Sequence, residues 1–301
     1  GTVHHEAREL RDNRGADVAK TLTRLAEMAN DALCAVEANG RRCVGVAIAV
    51  PGLVDAATAT LLRAPNLDWS DVPVASIVGA QLSSGLPIFL ENEANAAAVA
   101  EHRGGAAQGL ASFVCVFGEI GVGSGIFVNG ELFRGAHGFG GELGHAMVDP
   151  AGPLCACGNR GCLEAMAGGK AIMAKAHEAI KLNKRTELSD HPDPDNITVM
   201  DVAKAAARGD LVAQEILAEA GNQLGIALTS LVNLFNPNIV IVGGGVAQTG
   251  DLFLEPIRKA VLKRSLPAAV QAVRITTALL GKRSTSMGAV VQALSIALHK
   301  I

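Results

Sequence analysis

GELGHAMVDPAGPLCACGNRGCLE, residues 141–164, gathers three of the chain's six cysteines within eight positions, with a histidine ten residues ahead of the first. Cys155-x-Cys157-x4-Cys162 together with His145 is a Cys3His set, the donor pattern of a closed, tetrahedral structural zinc site. Thiolates suit zinc, and Gly158 and Gly161 let the chain fold tightly around an ion. A disulfide is the weaker reading, because a single residue separates Cys155 from Cys157 and a cytoplasmic compartment keeps thiols reduced. A redox pair would read C-x-x-C beside a helix start. Four protein ligands leave no open coordination position, so the expected work of the ion is to hold a long loop rigid.

Carboxylates flank this loop: Glu142 lies three residues before His145, and Glu164 two after Cys162. Taken singly, each reads as a solvated loop charge or a helix N-terminal acid. Clustered around one pinned loop, they make a polar set suited to gripping sugar hydroxyls. The remaining cysteines, Cys34, Cys43 and Cys115, lie in apolar stretches and are expected as small core residues.

Outward from the loop, 301 residues are enough for two domains flanking a cleft. The composition is 49% hydrophobic with 34 glycines, one tryptophan and no tyrosine, so the core rests on Ala, Val and Leu. A net charge of −3 excludes a global basic field for nucleic acid. The short basic stretches RRC (41–43) and KLNKR (181–185) read as solvated faces. Apolar runs end well short of a membrane-spanning length and no signal peptide opens the chain, so a cytoplasmic protein with no membrane partner is expected.

Helical periodicity marks residues 16–40, 93–105, 169–180, 198–209, 210–235, 251–265 and a closing helix from Met287. Apolar β-rich runs mark strands at 43–50, 86–92, 112–118, 123–133 (turning at Asn129-Gly130), 238–245 and 273–280. Residues 137–167 read as loop, and 181–196 as a polar surface insertion. Alternating strands and helices predict an α/β protein with mostly parallel sheets. The expected division is a smaller domain over 1–105, a larger one over 106–286 carrying the metal loop, and a helix at 287–301 packing back on the first.

GELGH…CACGNRGCLE, with VPGLVD (50–55), APNLDW (64–69), ENEAN (91–95), FGEIGVGSGI (117–126) and IVIVGGGV (239–246), resembles the signature of the ROK family of bacterial sugar-responsive repressors and sugar kinases. The resemblance implies the actin-like, hexokinase-like ATPase fold (ribonuclease H-like), with two α/β domains, a sugar cleft between them and a zinc-pinned loop. It implies that Gly52 and Asn66 line the cleft, that Asn92 and Glu93 meet sugar hydroxyls, and that Glu142, His145 and Glu164 hold others. His145 would also ligate zinc.

The family contains enzymes and non-enzymes, and the phosphate machinery separates them. The kinases carry D-x-G-x-T near the N-terminus; this sequence begins beyond that point, which reads as part of a longer protein. The catalytic base of the kinases is the Asp of E-N-D-A-N, and here Glu93 stands there, its oxygen displaced by roughly 1 Å, a shift that costs about a hundredfold in rate. Their second phosphate loop resembles T-G-T-G-x-G-G-G, where this chain has Glu119 and Ile120. A carboxylate aimed at a polyphosphate is repulsive, which argues against ATP. The expectation is therefore the effector-binding, oligomerising region of a ROK transcriptional regulator, taking a sugar or sugar phosphate. It would touch DNA only through a winged helix-turn-helix absent from these residues and assemble as a homodimer or homotetramer. The alternatives are a ROK sugar kinase of glucokinase or N-acetylhexosamine kinase type, its phosphate hairpin missing here, and a plain zinc-stabilised binding protein.

Overall fold

The computed structural model describes residues 2–9 and 11–298. It divides into two compact units, one of Gly1–Ala100, Gly135–Phe139 and Ser284–Ile301, the other of Glu101–Arg134 and Gly140–Arg283. Each has its own apolar core.

The first unit opens with α1 (Val18–Glu37), capped by the Asp17 carboxylate, which accepts the Lys20 N–H at 2.8 Å. Leu22, Ala26 and Leu33 form its buried face. Cys34, expected inside, is exposed, because it lies about 100° round the helix from Leu33. Cys43 is half-buried and Cys115 alone of the three is a core residue. Strand β1 (Val46–Val50) pairs in parallel with β5 (Ile88–Asn92), registering Val50 against Asn92. Between them lie β2 (Leu53–Asp55), β3 (Thr60–Ala64) and β4 (Trp69–Val72), an antiparallel sheet absent from the sequence reading, then α2 (Val74–Gly79). α3 (Glu93–Gly104) follows β5 without a break.

In the second unit β6 (Phe113–Gly118), β7 (Val122–Val128) and β8 (Glu131–Leu132) form a meander, turning at Asn129 and Gly130, both at positive φ. α4 (Leu163–Ala167), α5 (Gly169–Lys181), α6 (Val199–Ala207) and α7 (Leu211–Phe235) precede β9 (Ile239–Gly244). α8 (Asp251–Arg264), α9 (Pro267–Ala272) and β10 (Arg274–Thr277) complete it, in sheet order β10-β9-β6-β7-β8. The last helix, α10 (Ser284–Leu298), belongs to the first unit; residues 299–301 of the expected closing helix lie outside the described residues.

Two expectations need correction. The sheets are mixed: β1–β5, β6–β9 and β9–β10 are parallel, whereas β2–β3, β3–β4, β6–β7 and β7–β8 are antiparallel, as their short connections demand. And residues 137–167 are not all loop, because a 3-10 turn at Leu143–His145 and helix α4 lie within them.

The polar insertion at 181–196 takes two hydrogen-bonded anchors from a carboxylate at the start of α7, and His191 adds a contact to Asp201 at 3.6 Å. Asp210 caps α7 by accepting the Ala213 N–H at 3.0 Å, and takes the Thr186 hydroxyl at 2.7 Å and the Glu187 N–H at 2.6 Å. Desolvation raises its pKa, but the Ala213, Thr186 and Glu187 donors outweigh it and hold it below the usual Asp range. Its stabilisation is complete above the unfolded-state value of about 3.9 and is lost as pH falls through the depressed folded value. Asp210→Ala is expected to cost about 2 kcal/mol in urea unfolding at pH 7, with the difference from wild type shrinking below about pH 4.

Candidate functional site

The His145 nitrogens and the Cys155, Cys157 and Cys162 sulfurs offer donor atoms that all lie within 4.8 Å of one another. Backbone pairing brings them together. Leu163 N–H donates to Ala146 O (2.9 Å) and Val148 N–H to Gly161 O (2.8 Å), laying the strand before the knuckle beside the strand after it. Within the knuckle, Cys155 N–H donates to Asn159 O at 2.7 Å and Gly158 N–H returns to Cys155 O at 3.0 Å. Gly161 is at φ +66°, and a Cβ there would meet Asp149 O at 1.5 Å, so no other residue fits.

The quartet fits a tetrahedral ion. Cys155 Sγ lies 3.7 Å from His145 Nδ1, and Cys157 Sγ 3.7 Å from Cys162 Sγ. Metal–sulfur bonds of about 2.3 Å in a tetrahedron give an edge of about 3.8 Å. Two of the three thiols resist ionisation: burial pushes Cys155 up, and burial with a hydrogen bond to Cys157 pushes Cys162 up to about 12. Cys157 goes the other way, because the Asn159 N–H and the neighbouring thiols overcome its desolvation. A divalent ion supplies the charge that three thiolates need.

Beside the quartet, in the same unit, stand the two expected carboxylates. Glu164 is buried in the first turn of α4, and its Oε2 accepts the Val122 N–H at 3.0 Å, so it is not a solvated loop charge. Glu142 begins the turn that carries His145, whose N–H donates to Glu142 O at 3.1 Å. Its side chain reaches the surface, yet the protein around the carboxyl raises its pKa by desolvation; His145 opposes that shift and Glu164 adds to it. The metal loop and the acid pair are one electrostatic cluster.

In the first unit the structure joins three other expected residues. Asn92 caps α3, its Oδ1 accepting the Ala94 N–H at 2.9 Å and the Asn95 N–H at 3.0 Å. Its Nδ2 donates to Gly52 O at 3.0 Å and to Glu93 Oε2 at 3.1 Å. Gly52 is at φ +110°, with Arg63 O 2.3 Å from where a Cβ would stand. Asn66 is half-buried in the loop between β3 and β4. Sequence reasoning missed the buried Glu91, which accepts the Asn92 N–H at 2.9 Å and, through its other oxygen, the Gln292 Nε2–H at 2.8 Å. The only sequence signal for Glu91 is its place in ENEAN, and Gln292 gives none.

The second Gly-rich turn, Gly243–Gly245, lies against the first: Gly244 is at φ +82° with Gly118 O 2.3 Å from its virtual Cβ. Glu119 closes the arrangement, its Oε2 3.2 Å from the Cβ position of Gly245. The carbonyls of Glu119 and Ile120 accept the first N–H groups of α5, from Gly169 at 3.0 Å and Lys170 at 3.2 Å. No helix among the described residues is long and apolar enough to cross a membrane.

Two α/β units with these Gly turns and this metal loop define the actin-like, hexokinase-like fold, and the comparisons agree. A ROK family transcriptional regulator, homolog of the E. coli MLC protein, matches with TM-score 0.81 and 31% identity over 92% of this chain and 69% of that one. A ROK family glucokinase from Streptomyces griseus, in complex with glucose and AMPPNP, matches with TM-score 0.78 and 36% identity over 90% of this chain and 88% of that one. The xylose repressor of Caldicellulosiruptor bescii is 33% identical over 281 residues, 93% of this chain and 70% of the repressor. The ROK family model matches residues 3–296, and this chain belongs to the ROK family.

Elemental analysis of the purified chain is expected to find a bound divalent ion that Cys157→Ser loses at least tenfold. Acid should release it too: protons compete for thiolates, so the metal content is held at neutral pH and falls as pH falls.

Proposed function

We propose that this chain is the sugar-sensing, effector-binding and oligomerising region of a cytoplasmic ROK-family transcriptional regulator, a repressor, whose DNA contacts belong to a separate module. Zinc, held by His145, Cys155, Cys157 and Cys162, is structural. The sugar-reading candidates are Gly52, Asn66, Asn92 and Glu93 in the first unit and, in the second, Glu142, His145 and Glu164. The observation that carries the non-kinase reading is Glu119, whose carboxylate lies against the Gly243–Gly245 turn where the kinases need a surface that accepts phosphate. Glu93 supports it: its carboxylate is tied to the Asn92 amide, and it is a methylene longer than the Asp that serves as base in the family's enzymes. A sugar shifts the DNA-competent population only by the ratio of its affinities for the two states, so about a hundredfold preference supplies about 2.7 kcal/mol.

A second reading, a sugar kinase, is favoured by the likeness to the Streptomyces griseus glucokinase and by the intact glycines of both turns. Calorimetric titration with D-xylose, D-glucose and N-acetylglucosamine, with and without Mg-ATP, beside a coupled phosphorylation assay, separates the two. Sugar binding without turnover is expected, weakened about tenfold or more in Asn92→Ala. Measurable turnover would overturn the regulator reading.

A further inference from the structure

α10 is built into the other side of the Asn92 turn. Gln292 Nε2 donates to Glu91 Oε2 at 2.8 Å, and Glu91 Oε1 accepts the Asn92 N–H at 2.9 Å and the Asn95 Nδ2–H at 3.3 Å. Four residues earlier on α10, Gly288 packs so closely on α3 that a Cβ would meet Ala96 O at 1.6 Å. A further turn back, the Thr285 hydroxyl donates to Glu93 O at 3.4 Å. Three contacts spaced along one face of α10 thus grip the segment that starts at Glu91. Glu91 and Asn95 are both buried, in surroundings where a carboxylate is tolerated only when its oxygens are occupied. Because a carboxylate is acceptor-only, it also fixes which way the Gln292 amide faces: nitrogen towards Glu91, oxygen away, where it is buried without a hydrogen-bond partner.

We infer that Gln292 and Glu91 are positioning residues for the Asn92–Glu93 pair: the α10 amide holds the Glu91 carboxylate, and that carboxylate sets the backbone of Asn92. The side chain of Asn92 is committed on both its atoms, to Gly52 O and Glu93 on one side and to the α3 amides on the other. A rotation of its backbone therefore disturbs the cap and the polar face together. The inference rests on the proposed sugar-binding role of that pair, and it makes the last helix of the chain part of effector recognition without touching the sugar.

The test is a swap. Gln292→Glu sets two carboxylates against each other, and Glu91→Gln combined with Gln292→Glu restores one carboxylate–amide pair with its polarity reversed. D-xylose and D-glucose affinities are measured by calorimetry, and amide exchange by NMR without sugar. The expected result is about tenfold weaker binding in Gln292→Glu, recovered to within about threefold in the double variant. The Ala94 and Asn95 amides exchange faster in Gln292→Glu, while Ile48 and Phe89 in the β1–β5 pair keep their protection. Gln292→Ser, which removes the amide without adding charge, moves both readouts in the same direction. Unchanged affinity and unchanged Ala94 and Asn95 exchange in both single variants would overturn the inference, as would failure of the swap to rescue either. Should the wild-type chain bind no sugar, the functional reading fails, and the exchange data alone still decide whether Gln292 holds the Asn92 turn.

Discussion

Three thiols and an imidazole crowded within 4.8 Å are the constraint on which the second unit's polar face depends. Packed that closely, the sulfurs cannot all ionise unless a cation stands among them, and an ion binds only if they do. The loop they close is held otherwise by a few backbone hydrogen bonds and glycine turns. Glu142 and His145 share one short turn, and Glu164 follows Cys162 by two residues. The placement of both carboxylates thus follows from the packing of the four donors, which is how a segment with little regular structure can present fixed acceptors.

A second theme is where the chain spends negative charge. Glu101 is wholly buried, its carboxylate accepting the N–H groups of Ala106 at 2.8 Å, Leu279 at 3.2 Å and Leu280 at 2.9 Å. Glu91 and Glu164 are likewise buried and fed by backbone donors. Such acids substitute for sheet hydrogen bonding where the backbone turns irregularly. Glu119 differs, because it is exposed and faces a glycine turn.

How much of this could be read in advance follows from sequence separation. Long amphipathic helices such as α1 and α7, and the apolar runs of β6 and β9, announce themselves by periodicity within one window. The metal quartet is legible for the same reason, since its members fall within eighteen residues of each other. The sheet of β2, β3 and β4 is not: its strands are three to five residues long. Ala59, Asp68 and Asp71 take left-handed conformations that no local pattern signals. Glu142 and Glu164 are legible from their place on either side of the Cys3His loop, whereas Gly52, Asn66, Asn92 and Glu93 rest on the family signature alone. Glu91 and Gln292 stand 201 positions apart, and only folding brings them together.

The anchoring of the polar insertion by Asp210 has a practical side. Residues 187–196 make two short 3-10 turns attached through Thr186, Glu187, the buried Leu188 and the half-buried His191, whose Nε2 lies 3.6 Å from Asp201 Oδ2. Beyond His191 the segment is exposed from Pro192 to Asn196 and distant in sequence from every candidate ligand. Lengthening a loop already closed costs little, on the order of 0.6 kcal/mol per doubling. The stretch from Pro192 to Asp195 is therefore the natural place to splice in an epitope or a fluorescent reporter, leaving the metal knuckle and the Asn92 turn undisturbed.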